Sequence, residues 1–282
     1  MNEGLRDAYL AVLGVEREPP TAAALDRLHR SHIERIPWET LWIHTGDRFG
    51  LDLEASARRI VATGRAGYCY HLNGAFSWLL QSLGYRVRRH VGGVHGPDGV
   101  AATDLTNHLV LSVTDLPSAD APEGVWYVDV GTGDALHGPL PLRAGSHVDG
   151  PFTVTLERHG NELADWHLIH HPQGAFPGMA WRSATANLDA FAARHDHLMN
   201  DPDSRFAQWA LVQRRDRHGV DALRGIALLR VEQHTDVRLL ETAADYRASL
   251  GDVFGIDADP ARLDDVWAQQ FRRHEDAQPR GS

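Results

Sequence analysis

Apolar residues in the first third of the chain recur at helical intervals. Leu5, Tyr9 and Val12 share one face, and Leu25, Leu28, His32 and Ile36 form a second stripe behind Thr21, whose hydroxyl suits a helix N-cap. Pro37 interrupts that stripe. A third helix is predicted over 53–62, opened by Asp52 and closed by Gly64. A fourth begins near Cys69, with Leu72, Phe76, Leu79, Leu80 and Leu83 turned to a core and Gly84 as its stop. Residues 1–84 therefore read as a helical domain.

After Gly84 the period falls to two. Val87 and Val91, then 107–113 and, past a loop containing Pro and Gly, 125–130 read as antiparallel strands. Strand-like pieces at 152–156 and 167–169 make a small sheet or barrel the centre of a second domain, 85–186. The third domain, 187–282, mixes both periods. Residues 187–199 read as helix, 206–212 and 226–240 contain extended stretches, and Asp259-Pro260 opens a last helix reaching about Phe271. Helices and antiparallel strands segregated in this way give an α+β fold.

Composition narrows the function. A chain of 282 residues, 43% of them hydrophobic, can bury a site. The net charge of −10, set against one short basic run, Arg86-Val87-Arg88-Arg89, argues against nucleic acid as a partner. The N-terminal segment is amphipathic and charged without a long apolar stretch, so neither a signal peptide nor a membrane span is expected, and a cytoplasmic location is. A single cysteine rules out a disulfide framework and a multi-cysteine zinc site. The 18 histidines are scattered, and the pairs His170/His171 and His195/His197 lack partner ligands at metal spacing, so no metal is expected.

Cys69 stands in Gly64-Arg65-Ala66-Gly67-Tyr68-Cys69-Tyr70-His71-Leu72-Asn73-Gly74, where a turn of small residues runs into the fourth helix. Unpaired N–H groups and the positive end of the helix dipole favour a thiolate there, and the same N–H groups suit an oxyanion. Taken alone, a lone cysteine is more often a small buried hydrophobe. A thiolate nucleophile needs an imidazole for its proton, and the imidazole needs an acceptor that fixes its orientation. Pairing Thr114 with Val125 supplies both. His108 then faces Gly131 and Asp129 faces Val110, which leaves His108 and Asp129 diagonal neighbours on one face, about 7–8 Å apart at the backbone. A register shift of one would part them. Singly, each reads more readily as a structural or solvated group, and the three together point to a triad.

These segments resemble the arylamine N-acetyltransferases. Arg65-Ala66-Gly67-Tyr68-Cys69 with Asn73 is similar to the family's Arg-Gly-Gly-Tyr-Cys turn and the Asn that follows it. Ile36-Pro37-Trp38-Glu39-Thr40-Leu41 is similar to its Ile-Pro-Phe-Glu-Asn-Leu, which implies a Glu39–Arg65 pair. Thr106-Asn107-His108-Leu109 is similar to its Thr-His-Met segment, and Val128-Asp129-Val130-Gly131-Thr132-Gly133 to its Val-Asp-Val-Gly-Phe-Gly. The resemblance implies an N-terminal helical bundle, a central antiparallel β-barrel and a C-terminal α/β lid, with a cysteine-protease-like Cys-His-Asp arrangement. It also implies ping-pong N-acyl transfer to a small-molecule amine, with acyl-CoA, usually acetyl-CoA, as cosubstrate and no permanently bound cofactor. Cys69 would be the nucleophile, His108 the base and Asp129 its orienter. Tyr70, Gly131 and Thr132 would contact substrate, and Arg65, Glu39 and Asn73 would support the site.

The match departs at several places. Ala66 replaces a Gly, which matters only if that position needs positive φ. His71 stands where the family often has an acid or Gln, as a second ionisable group near the thiol or as a structural or solvent-facing histidine. Thr132 replaces an aromatic residue, which removes an apolar wall and makes small arylamines poorer substrates. The connection 114–124 is longer than the family's and is expected to border the site. These departures favour, as the alternative, an amide synthase or carrier-protein-dependent acyltransferase of a secondary-metabolite pathway, with an acyl carrier protein as partner. A non-catalytic binding protein would need none of the three triad residues, and a thiol protease would need a peptide cleft.

Overall fold

The structure, a computed structural model, describes residues 2–277 apart from 103, 135 and 161. Local signals set the helical part. Helix α1 (Glu3–Leu13) opens on the Asn2 side chain and closes on Gly14 at φ 64°. Helix α2 (Ala22–Arg35) opens on the Thr21 hydroxyl, as its sequence predicts. The short β1 (Trp38–Glu39) and α3 (Leu41–His44) follow Pro37. Helix α4 (Leu53–Thr63) runs from the Asp52 cap to Gly64 at φ 69°. Helix α5 (Cys69–Ser82) is buried continuously from Cys69 to Leu80, so its polar residues Asn73 and Ser77 face protein rather than water.

Eight antiparallel strands form the central sheet, which curls into a nearly closed barrel. They are β2 (Arg86–His95), β3 (His108–Thr114), β4 (Trp126–Val128), β5 (Leu140–Pro141), β6 (Gly145–Asp149), β7 (Phe152–Arg158), β8 (Trp166–Ile169) and β9 (Gly178–Thr185). Their spatial order is β5-β4-β3-β2-β9-β8-β7-β6, and Val110, Tyr127, Leu156, Trp166, Met179 and Trp181 pack together as its core. The β3–β4 register pairs Leu111 with Val128 and Val113 with Trp126, the register anticipated from Thr114 and Val125. The connection 114–124 closes the far end of that hairpin, held by Leu116 N donating to Gly124 O and Trp126 Nε1 to Leu116 O. It supplies none of the residues lining the cleft at Cys69, so the expectation that it borders the site is corrected: in an antiparallel hairpin the turn lies a strand's length from His108.

The rest of the chain lies over this core. A 3-10 turn (Leu188–Phe191) leads into α6 (Ala192–Asn200), followed by α7 (Arg205–Gln208). Strands β10 (Leu211–Arg215), β11 (Val220–Arg224), β12 (Ala227–Val231) and β13 (Thr235–Leu239) join β1 in a second sheet of order β1-β10-β11-β12-β13. Helices α8 (Ala243–Phe254) and α9 (Pro260–Ala277) complete it. Three expectations change here. The start of 206–212 is helical, because Ser204 accepts from Phe206 N and caps a turn. Helix α8 was not anticipated, since Ser249 stands in its apolar stripe of Tyr246, Leu250 and Phe254 and Gly251 weakens its helix propensity, although Thr242 caps it and Gly255 ends it at φ 68°. Helix α9 outlasts Phe271, its added turns being polar and without periodicity. The largest core cluster draws Phe76 from α5, Leu109 from β3, Val128 from β4 and Leu198 from α6, which fixes α5, the helix that begins at Cys69, against the barrel.

Candidate active site

Burial of α5 makes the conformation of its entrance decisive. Gly67 has φ 119°, a region closed to most side chains, and a Cβ there would lie 2.7 Å from His71 Nδ1 and 3.1 Å from Trp42 Nε1. Ala66 is not a positive-φ position, so its replacement of the family's Gly carries no strain. The turn is braced from two sides. Glu39 N donates to Gly67 O at 3.0 Å, and the Arg65 guanidinium reaches Glu39 Oε1 at 3.2 Å with the carboxylate fully buried. Tyr68, the N-cap residue, offers no side-chain cap, so while His71 N donates to Tyr68 O at 2.9 Å, no capping side chain occupies the N–H groups of Cys69 and Tyr70.

His108 opens β3 and Asp129 lies one residue past β4, and their side chains meet as the register requires. His108 Nε2 is 2.7 Å from Asp129 Oδ2, with both residues buried. Asp129 accepts three further bonds: Oδ1 from Asn73 Nδ2 and from Gly131 N, each at 2.9 Å, and Oδ2 from the Tyr127 hydroxyl at 2.9 Å. Burial by itself would raise the Asp129 carboxyl, but His108, Asn73 and Gly131 N–H outweigh it and hold it below the ordinary carboxylate value. Burial likewise works against a charged His108, and the Asp129 carboxylate and the Cys69 sulfur reverse this, raising it well above a free imidazole. With Nε2 engaged by Asp129, the other ring nitrogen is left for Cys69. The sulfur itself lies 3.7 Å from Asn107 O.

The supporting residues divide by what they touch. Asn73 also donates to Leu109 O at 2.6 Å and accepts from Val130 N at 2.9 Å, so one carboxamide ties α5 to both strands. Gly131 approaches so closely that a Cβ would sit 2.9 Å from Cys69 Cα. Gly131 and Thr132 line the cleft, whereas Tyr70 does not. Its hydroxyl donates to Thr106 O at 2.6 Å, and Thr106 has φ 84°, so Tyr70 secures a strained residue two positions before His108. His71 is fully buried among Trp42, Phe49, Tyr68 and His195, and burial drives its pKa far down, which makes it a neutral structural histidine. Tyr127 was overlooked as a site residue, although strand parity puts it on the same face as Asp129, two positions away.

The thiol opens into a cleft of about 500 Å³. Trp38, Phe176 and Phe206 give it aromatic surface, and Arg194, Arg205 and Arg224 give it positive charge, with Asp104 and Asp203 also in its lining. None of the three arginines forms an ion pair among the described residues. Burial, and then the adjacent Arg224, lower the pKa of Arg205. No motif in the sequence announces these arginines, which come from α6, α7 and β11. Among the described residues no group of three or more His, Cys, Asp or Glu side chains is placed to hold a metal, and no helix is long and apolar enough to cross a membrane.

A helical bundle set against a nearly closed antiparallel barrel, with Cys, His and Asp converging at their junction, defines a cysteine-protease-like α+β enzyme. The N-acetyltransferase family model matches residues 21–263. An arylamine N-acetyltransferase of Gallus gallus, pineal gland isozyme NAT-3, is 30% identical over 237 residues, covering 78% of this chain and 80% of that protein. The solved Mycobacterium marinum arylamine N-acetyltransferase superposes with a TM-score of 0.82 at 27% identity, over 95% of this chain and 98% of that one. The structure of the same enzyme in complex with CoA gives a TM-score of 0.81 at 27% identity, over 94% and 98%. The chain belongs to the arylamine N-acetyltransferase family and is an acetyltransferase.

Proposed function

We propose that Cys69, His108 and Asp129 form the catalytic triad of an acyl-CoA:amine N-acyltransferase working by a ping-pong route, with acetyl-CoA as donor. The observation that carries this reading is the placement of Cys69 at an uncapped helix N-terminus beside a buried His108–Asp129 pair. His108 holds the thiol proton while the Cys69 thiolate attacks the thioester carbonyl carbon. The oxyanion that forms is met by open N–H groups at the start of α5. The bond from carbon to the CoA sulfur breaks, that sulfur takes the proton from His108, and free CoA leaves an acyl-Cys69. The amine nitrogen then attacks the acyl carbon and gives a proton to His108, the carbon–sulfur bond to Cys69 breaks, and the amide departs from a regenerated thiolate–imidazolium pair.

The cleft fits the two substrates. Arg194, Arg205 and Arg224 suit the phosphates of CoA, which the related Mycobacterium marinum enzyme binds in its solved complex. In this reading residues 1–84 supply the nucleophile, 85–186 the histidine and aspartate, and 187–282 the cover that carries the arginines. The enzyme works in the cytoplasm, where a single thiol stays reduced.

Intact-mass spectrometry across acetyl-CoA, longer acyl-CoA esters and carrier-bound thioesters tests the proposal. An acyl adduct from acetyl-CoA, absent in Cys69→Ala, is the expected result. An adduct from carrier thioesters alone would replace it with the carrier-dependent alternative, and failure with every donor would overturn acyl transfer altogether.

A further inference from the structure

The three aromatic rings of the cleft are held in different ways. Trp38 and Phe206 meet edge to face at 5.4 Å, and Phe206 leans on Tyr68 at 5.2 Å, so both are anchored in the aromatic core beneath Cys69. Phe176 stands apart, on the loop from β8 to β9, packed with Val94 against the barrel core. Its ring meets His170 edge-on at 4.7 Å and 89°. His170 Nε2 lies 3.1 Å from Asp134 Oδ2, and the same oxygen accepts from Ala175 N at 2.6 Å. The loop turns tightly over the imidazole, since a Cβ on Gly174 would fall 2.4 Å from His170 Nδ1. Asp134 follows Thr132 by two residues, so one buried ion pair joins this loop to the segment that passes Gly131 and Thr132 beside the thiol. Burying such a pair adds little stability over apolar packing, and its better-attested effect is to fix one geometry.

We propose that Phe176 is the ring that discriminates among acceptor amines, and that Asp134 and His170 are its positioning residues; this rests on the acyl-transfer reading above. Thr132 is small and polar, so the aromatic surface of the cleft comes from Trp38, Phe176 and Phe206, and of these Phe176 is the one whose loop is pinned to the Thr132 segment through Asp134. The aromatic wall that Thr132 cannot provide is supplied by a different element, and the acceptor it fits is a planar aromatic amine that stacks on or against the ring.

The experiment separates the two half-reactions. The acetyl-enzyme is first formed from acetyl-CoA and followed by intact mass, then mixed with aniline or with propylamine. Phe176→Ala, carried to full acetylation before the amine is added, is expected to show a preference for aniline over propylamine about tenfold lower than that of the unsubstituted protein. Phe176→Tyr keeps the preference. His170→Ala lowers it similarly, and the His170→Ala/Phe176→Ala double variant lowers it no further than Phe176→Ala alone, which a merely structural role for His170 would not give. An unchanged preference in acetylated Phe176→Ala would overturn the inference, and so would losses that multiply in the double variant. If the unsubstituted protein formed no acetyl-enzyme, the acyl-transfer reading would fail first and carry this inference with it.

Discussion

Asn73 Nδ2 donates to Asp129 Oδ1 at 2.9 Å, across the junction between α5 and the barrel. The same carboxamide serves Leu109 O and Val130 N, so three groups on two strands depend on it. Replacing it with Ala strands buried polar atoms, each at a cost of about 1–3 kcal/mol. Asn73→Ala should therefore lower the thermal midpoint clearly in calorimetry and slow acyl-enzyme formation as well, because Asp129 loses a support. A variant with an unchanged midpoint would contradict this.

The charge state of His108 depends on Asp129. In the native pair His108 is raised above the free value of 6.5, so its ionic contribution to folding is complete below that value and is lost as pH climbs through the raised one. Asp129 is lowered beneath 3.8, so its share is complete above that value and is lost as pH falls through the lowered one. In Asp129→Asn the desolvation of His108 is no longer opposed by a carboxylate, and its titration should drop from above 6.5 to well below its native position. NMR titration of the His108 ring, assigned by comparison with His108→Gln, reads this directly, and an unmoved midpoint would refute it.

Two adjacent small residues should respond differently to substitution. Gly67→Ala forces a side chain into a φ of 119° and against the His71 ring, a cost of about 1–3 kcal/mol. Ala66→Gly changes no required conformation and should cost less than about 1 kcal/mol. Urea denaturation of the two variants ranks them, and equal stabilities would show that the turn is not held as described.

The Arg65–Glu39 pair is buried, with the carboxylate fully enclosed, so Glu39→Gln leaves a guanidinium without its counter-charge. Breaking such a pair costs about 3–5 kcal/mol. The expected outcome is a large fall in the denaturation midpoint together with loosening of the Cys69 turn, visible as faster hydrogen exchange at Gly67 and Tyr68. Slow exchange at both amides in the variant would count against this brace.

Much of this molecule was legible before its fold was known. Thr21, Asp52 and Gly64 mark helix ends by local chemistry, and alternation through 107–113 and 125–130 fixes a register that places His108 and Asp129 on one face. Tyr127 was equally within reach, since parity alone puts it beside Asp129. Helix α8 was harder, because its caps are clear while Ser249 breaks its apolar stripe and Gly251 lowers its helix propensity.

The sequence by itself thus determined the place of Cys69 at a helix start, the pairing that joins His108 to Asp129, and the family. These follow from short-range periodicity and turn chemistry, which act over a few residues. Only the tertiary structure decided what surrounds the thiol. Arg194, Arg205 and Arg224 reach the cleft from three separate elements, and Phe176 reaches it from a loop pinned by Asp134. Tyr70, a neighbour of Cys69 in the chain, turns instead to hold Thr106. Side-chain direction and long-range packing set those contacts, and neither leaves a period in the chain.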